Sequence, residues 1–337
     1  VKLFLCLFFV ALTWQLPARD LEIYWIDAEG GAATLIVSPS GESMLVDTAN
    51  NVPGDRDAKR IFAATQAAAL KRIDFLLTTH FHADHIGAMP ALATLIPIGM
   101  YLDHGDSAEL NRPKVAEAYK AYQELSAGKR RILRVGDRIP LTGVDVEVIM
   151  AAGQAITKPL KGAGQVNPAC ANFQQHPPEQ DPDNDQSVGF VLRYGKFKFI
   201  DMGDLTWNYE QKLVCPANLI GHIDLYQTTH HGLERSNSPQ FVWAIDPTVA
   251  VMNDGPRKGG PASVFQILHK TPGLQDMWQG HLALSTPKEV QAPEQMIANL
   301  VPTAECTGNL LKASVDSTGQ FTLTNLRNGF RKTYRSK

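Results

Sequence analysis

The sequence is short of three things, and each shortage narrows its function. Positive charge is not in excess: 32 Lys and Arg stand against 34 Asp and Glu, a formal net charge of -2, so composition provides no broad electropositive face for holding duplex nucleic acid. Cysteine is scarce, with four residues in 337 (Cys6, Cys170, Cys215 and Cys306) and no close pair of the kind that binds zinc. If Cys6 leaves with a leader, at most one intramolecular disulfide can form, and we read the remaining cysteines mainly as isolated small side chains. Long apolar runs are missing too. Beyond the first twenty residues nothing approaches the roughly 20-residue length of a membrane helix, so no stable membrane insertion is expected once the leader is removed. The 44% hydrophobic content still suits a folded globule with a sizeable core.

The opening stretch "VKLFLCLFFVALTWQLPARD" has an early lysine, an apolar run over residues 3–12 and a polar exit containing Pro17 and Ala18. That is the pattern of a secretory signal peptide, with cleavage after Ala18. The expected organisation is a signal peptide over 1–18 and one domain over 19–337, exported to the periplasm or the extracellular space.

After the leader, "LEIYWID", "ATLIVSP" and "SMLVDTAN" alternate with Gly-rich turns and read as short strands. Residues 57–70 read as an alanine-rich helix, followed by the apolar strand 73–77. A strand in "IGMYLDHG", a helix over 113–125 and a buried strand in "VDVEVIM" come next. Residues 151–186 are rich in Gly, Pro, Gln and Asn with little periodicity, an irregular insertion that suits a lid, a binding loop or a solvent-facing excursion. Regularity returns with two strands joined by a turn near Tyr194 and Gly195, then strands in "HIDLYQTTHHG" and "TVAVMNDG", a helix over 261–269, a strand over 281–285 and a terminal strand over 321–326. Several of these strands end in polar groups, as in an α/β scaffold that holds a site at its strand ends.

The densest chemistry is "TTHFHADHIG", which gathers His80, His82, Asp84 and His85 directly behind the strand 73–77. Imidazoles and a carboxylate suit zinc and related metals, and four local ligand groups together with distant ones favour two adjacent metals over one. Four such side chains have little apolar packing value, which argues against an ordinary loop.

On this motif the chain resembles the metallo-β-lactamase fold superfamily of hydrolases. "HFHADHIG" matches that superfamily's HxHxDH pattern; the resemblance implies His80 and His82 on one metal and Asp84 and His85 on the other. It further implies Asp204 in "DMGD" as the bridging aspartate, His230 in "TTHHG" as the late histidine, and Asp47 in "MLVDTAN" as a supporting carboxylate. The segments "NDQSVGFVL", "FIDMGD", "HHG" and "VMNDG" are most similar to the soluble hydrolase domain of bacterial DNA-uptake channel proteins, without the channel's membrane portion. The pattern departs at one point: no histidine embedded before "DMGD" supplies the first metal's third ligand. Alignment with "NDQS" implies Asp185 there, with His104 and His176 as competitors.

The implied fold is α/β, a four-layer αββα sandwich of two mixed sheets faced by helices. The implied cofactors are two divalent ions, zinc with manganese as the alternative. The implied chemistry is hydrolysis by metal-activated hydroxide, with Asp84 and Asp204 organising the site and His231 as leaving-group acid. A small-molecule or nucleic-acid phosphodiester is the expected substrate; a lactone or β-lactam is the alternative, and a non-catalytic metal-dependent binding protein is a third reading. His104 is a substrate contact or a loop-pinning residue, whereas Lys158, Lys161 and Lys196 read as surface lysines.

Overall fold

The computed structural model describes residues 19–178, 180–301 and 306–337; the expected signal peptide over 1–18 lies outside them. Two nine-stranded sheets stand face to face among the described residues. The first runs, in spatial order, Arg331–Arg335, Gln320–Asn325, Leu311–Val315, Leu21–Trp25, Thr34–Val37, Ser43–Val46, Ile73–Leu77, Ile98–Asp103 and Arg130–Ile132. The second runs Ile297–Asn299, Asp276–His281, Val249–Met252, Leu225–Gln227, Phe197–Asp201, Gly189–Tyr194, Asp145–Ala151 and Arg138–Ile139, with Gln154–Ala155 paired to the Asp145–Ala151 strand. Both sheets are mixed: strands 43–132 of the first pair in parallel, as do strands 197–299 of the second, while the remaining pairs are antiparallel.

Strand periodicity builds two cores from these sheets. Successive side chains point to opposite faces of a strand, so Leu45 and Leu76 join the cluster under the outer helices while Val46 and Leu77 join the one between the sheets. All four residues are buried, which explains why such strands read as continuous apolar runs rather than alternating ones. The helix Arg56–Ala67 turns Ala58, Ile61, Ala64 and Thr65 inward at helical spacing. On the far side, the helices Trp207–Val214, Pro239–Ile245 and Ala262–His269 bury Leu213, Phe241, Val242, Phe265 and Leu268 against the second sheet. The α/β sandwich expected from the sequence is the fold observed.

Two sequence expectations require correction. The strand expected over 281–285 lies earlier, at Asp276–His281, where Met277 and Trp278 carry the buried apolar surface and the parallel ladder to Val249–Met252. The cysteines are not all isolated: Cys170 and Cys215 form a disulfide. The irregular insertion contains the short strand Gln165–Val166 and the single turns Pro168–Asn172 and Asn184–Gln186, and it is tied down at several points. Gln165 pairs with Asn218, the disulfide anchors residue 170, and Asn208 Oδ1 accepts from the His176 N–H at 2.9 Å while Asn208 Nδ2 donates to the His176 carbonyl at 2.9 Å.

A disulfide spanning 45 residues mainly restricts the unfolded chain. Replacing Cys170 and Cys215 together by serine is expected to cost about 2–4 kcal/mol of stability, read as a lower urea midpoint. An unchanged midpoint would show that the insertion is held by its other ties alone.

Candidate metal centre

Parallel strands deliver the site. The strands ending at Val46, Leu77, Asp103, Asp201, Gln227 and Met252 place Asp47, the 80–85 segment, His104, Asp204, the His230–His231 pair and Lys258 in the loops that follow. Side chains leaving the carboxyl ends of neighbouring parallel strands meet in one crevice.

Asp47 sets the first part. It sits at φ 60°, and the local reversal turns its carboxylate back beneath the histidine loop. Its Oδ1 accepts the Thr79 N–H at 2.8 Å, and its Oδ2 accepts the Thr79 hydroxyl at 2.7 Å and faces His85 Nδ1 at 2.7 Å. His80, His82 and His230 also have one nitrogen held, whereas the buried Nδ1 of His231 has no hydrogen-bond partner among the described residues. His80 Nδ1 donates to Thr79 Oγ1 at 3.1 Å, since that hydroxyl proton is already committed to Asp47. His82 Nε2 donates to Glu109 Oε1 at 3.1 Å. His230 Nδ1 donates to Ser236 Oγ at 3.2 Å, whose own proton goes to the Leu205 carbonyl at 2.7 Å. When one ring nitrogen carries the proton the other presents a lone pair, and an acceptor behind a histidine is the usual support of a metal ligand.

Those lone pairs converge. Around Asp204 Oδ2 stand His85 Nε2 at 3.2 Å, His230 Nε2 at 3.2 Å, His231 Nε2 at 3.4 Å and His80 Nε2 at 4.0 Å. Asp84 Oδ2 lies 3.4 Å from His85 Nε2 and 3.2 Å from His231 Nε2, and the two nitrogens are 3.3 Å apart. Asp84, His85, Asp204 and His231 therefore form a four-cornered group with five edges between 3.2 and 3.4 Å. A regular tetrahedron of about 3.3 Å edge has its centre about 2.0 Å from each corner, the length of a zinc bond to imidazole or carboxylate. The donor set fits a divalent ion. His80 Nε2 and His82 Nδ1 approach within 3.0 Å, and His80 Nε2 and His230 Nε2 both face Asp204 Oδ2, at 4.0 and 3.2 Å.

Electrostatics agree with this donor chemistry. Burial holds the His80 imidazole well below its ordinary pKa, with the neighbouring His85 and His82 adding to the effect, and burial lowers His230 to about 3; both are neutral, as ligation requires. Burial disfavours the Asp204 charge, but the surrounding His230, His85 and His231 outweigh it and hold the carboxyl well below its usual range. Asp84 follows the same pattern, with His85, His231 and Lys258 outweighing its burial. His85 is the exception: burial is overcome by the carboxylates of Asp204, Asp47 and Asp84, which raise it well above its ordinary value, so this imidazole must release a proton to ligate. The inner carboxylates offer a cation a strong field, shared at Asp84 with the Lys258 ammonium.

The structure brings His80, His82, Asp84, His85, Asp204, His230 and His231 together, with Asp47 behind them. Its partition of the histidine pair differs from the sequence reading: His231, expected as a proton donor, is the imidazole grouped with Asp84, His85 and Asp204, while His230 faces Asp204 Oδ2 from outside that group. Both residues are in left-handed backbone, φ 56° and 55°, and this double reversal brings two adjacent rings, 6.1 Å apart, to one carboxylate oxygen. Asp185 is turned elsewhere, accepting a short hydrogen bond from the Thr206 hydroxyl. Asp183, two residues earlier, is the buried carboxylate beneath the loop: it accepts the Phe81 N–H at 2.7 Å and the Ala108 N–H at 2.6 Å, and lies 3.7 Å from His104 Nε2. His104 packs edge-on against Phe81, with its buried Nε2 beyond hydrogen-bond distance of Asp183. Lys158 and Lys161 line a different pocket, beside Asp145 and Glu147.

Sequence reasoning missed Thr79, Glu109, Ser236, Asp183 and Lys258. Thr79 adjoins the motif and was open to recognition. Glu109 was not, because only the folded chain sets it behind His82. The Lys258 ammonium contacts Asp84 Oδ2, and tight glycines deliver it: a Cβ on Gly30 would meet Lys258 Cβ at 2.9 Å, and one on Gly259 would meet the His231 carbonyl oxygen at 2.0 Å. A separate group, Asp27 with His281 and Cys306, ties the ends of two strands in different sheets; Arg60 already neutralises Asp27 at 2.8 Å.

Removing the acceptor behind a ligating histidine typically weakens metal binding 10–100-fold. Asp47→Asn is expected to lower divalent-metal affinity within that range in chelator competition. Wild-type affinity in the variant would remove Asp47 from the supporting role.

Residues 26–157 match the metallo-beta-lactamase superfamily. The chain is similar to a metal-dependent hydrolase of Cupriavidus necator, 37% identical over 92 residues that cover 26% of this chain and 28% of that protein. It is also similar to a metal-dependent hydrolase of Polynucleobacter asymbioticus, 26% identical over 57% of this chain and 59% of that one. The matched region thus spans less than two thirds of either relative. Among solved structures, a metallo-beta-lactamase fold protein of Bacillus subtilis aligns over 77% of this chain and 95% of its own, at 10% identity and a TM-score of 0.46. The two-sheet sandwich and the matched segment give the chain the metallo-β-lactamase superfamily fold, and its clustered histidines and aspartates form candidate dinuclear metal sites typical of catalytic hydrolases of that fold.

Proposed function

We propose that the protein is an exported, two-metal phosphodiester hydrolase. The observation that carries the metal reading is the near-tetrahedral spacing of Asp84 Oδ2, His85 Nε2, Asp204 Oδ2 and His231 Nε2. In this reading those four hold one ion; His80, His82 and His230 hold the other, so that His230 fills the place of the missing third histidine, and Asp204 is common to both. Zinc suits the nitrogen-rich donors, with manganese as the alternative. When bound, such ions supply Lewis acidity and a water acidified toward a pKa of about 7.

The protein's own residues do the rest. Asp204 is buried with several imidazoles around one oxygen, so its orientation is fixed before substrate arrives. Beside the donor set lies a cleft of about 310 Å³ whose lining includes Arg112, Arg235 and Lys258. The same lining holds the carboxylates of Asp84, Glu109, Asp181 and Asp204, so the three cations support an anionic phosphodiester over a neutral lactone once bound metal offsets those carboxylates. Arg112 and Arg235 are themselves held by Asp181, at 2.8 and 3.4 Å, which fixes them at the rim. Lys258 is the group placed to stabilise negative charge on the leaving oxygen, since His231 belongs to the donor set in this reading. The resemblance to the DNA-uptake hydrolase domain also supports a phosphodiester.

Bis(p-nitrophenyl) phosphate, a lactone panel and a β-lactam, each supplied to the metal-loaded protein, separate the readings. The expected result is diester cleavage that chelation abolishes and that Asp204→Asn lowers by at least about 100-fold in kcat. Lactone or β-lactam turnover without diester cleavage would replace the phosphodiester reading; bound metal with no turnover would leave a binding protein.

A further inference from the structure

A second pocket adjoins the cleft. It has a volume of about 430 Å³, and its walls include His176 and Trp207 on one side and Val264 and Ile267 on the other. This is the size of a small-molecule site. Arg235 lines both this pocket and the donor-set cleft, so the two spaces share a wall.

The connection between them is structural at every point. Trp207 follows Asp204 by three residues and opens the helix Trp207–Val214. Its indole N–H donates to the Ser236 carbonyl at 2.6 Å, and its backbone N–H donates to the Arg235 carbonyl at 3.0 Å. Ser236 is the residue whose hydroxyl accepts from His230 Nδ1. One dipeptide, Arg235–Ser236, thus holds the indole, the rim cation and an imidazole of the donor set in fixed relation. The opposite edge comes from the insertion. His176 is clamped by its two backbone hydrogen bonds with Asn208, and its ring meets the indole edge-on at 4.3 Å between centroids. With these ties, and the disulfide at Cys170, the insertion supplies one wall of the pocket.

We infer that this pocket is a binding subsite for a planar aromatic group of the substrate, placed beside the anionic group that reacts in the cleft. Trp207 and His176 offer π surfaces, Val264 and Ile267 an apolar floor, and Arg235 a planar guanidinium between ring and anion. The carboxylate of Glu234, also in the lining, disfavours a second anion there and leaves a neutral ring as the fitting occupant. The substrate class is therefore an aryl- or heteroaryl-bearing anion, in place of a simple alkyl ester. This rests on the cleft being the reaction site but not on the substrate being a phosphodiester.

The test is calorimetric binding to the metal-loaded protein of two matched pairs, phenylphosphonate against methylphosphonate and phenylacetate against acetate. Stacking on an aromatic side chain contributes enough to expect the aromatic member of each pair to bind about tenfold more tightly. Trp207→Ala should remove that preference, and so should Ile267→Trp, which fills the pocket while leaving the Trp207–Ser236 hydrogen bond in place. Equal affinities within both pairs, or a preference that survives both variants, would overturn the subsite. An aromatic preference in a protein that cleaves no diester would keep the subsite and end the phosphodiester reading; diester cleavage without the preference would do the reverse.

Discussion

One carboxylate oxygen organises this molecule. Asp204 Oδ2 lies in the interior with the nitrogens of His85, His230 and His231 within 3.4 Å and that of His80 at 4.0 Å. Burying a charge costs several kcal/mol unless it is paired and hydrogen-bonded, and the imidazoles meet that requirement with the outer nitrogens of His80, His82, His85 and His230, though not of His231, anchored. Asp47, Thr79, Glu109 and Ser236 hold them there. Lone pairs aimed at one point have mutual repulsion that a divalent ion turns into attraction, so metal binding and local stability are coupled at this centre.

The two-sheet scaffold explains how residues so far apart in the chain reach that oxygen. Parallel strands in both sheets point their carboxyl ends to one edge, and the loops leaving that edge carry the ligands. The cores on either side of the first sheet keep these strands from shifting, because alternate residues of each strand lock into different clusters. The same edge gathers the cationic rim and, through Arg235 and Ser236, the aromatic-lined pocket beside it. Stability and function are here properties of one arrangement.

Much of this was legible in the sequence because it was local. The strand 73–77 and the four ligand groups behind it lie within thirteen residues, and the apolar runs mark most strands. What escaped was set by tertiary geometry. No spacing rule shows that left-handed backbone at His230 and His231 brings both rings to Asp204 while grouping only His231 with Asp84 and His85. Nor does any show that Asp183 rather than Asp185 turns under the histidine loop, a difference made within a single helical turn. Glu109 and Lys258 lie outside any local motif, and only the fold places them against His82 and Asp84. The Cys170–Cys215 pair was hidden by its 45-residue separation, and the strand 276–281 was displaced in the reading by the apolar residues that follow it.

Anomalous diffraction from crystals of the zinc-loaded protein tests the central claim most directly. The account predicts two peaks flanking Asp204 Oδ2, one bonded to Asp84, His85 and His231 and the other to His80, His82 and His230. A peak ligated by Asp185 or His104, or no peak around Asp204 at all, would contradict it.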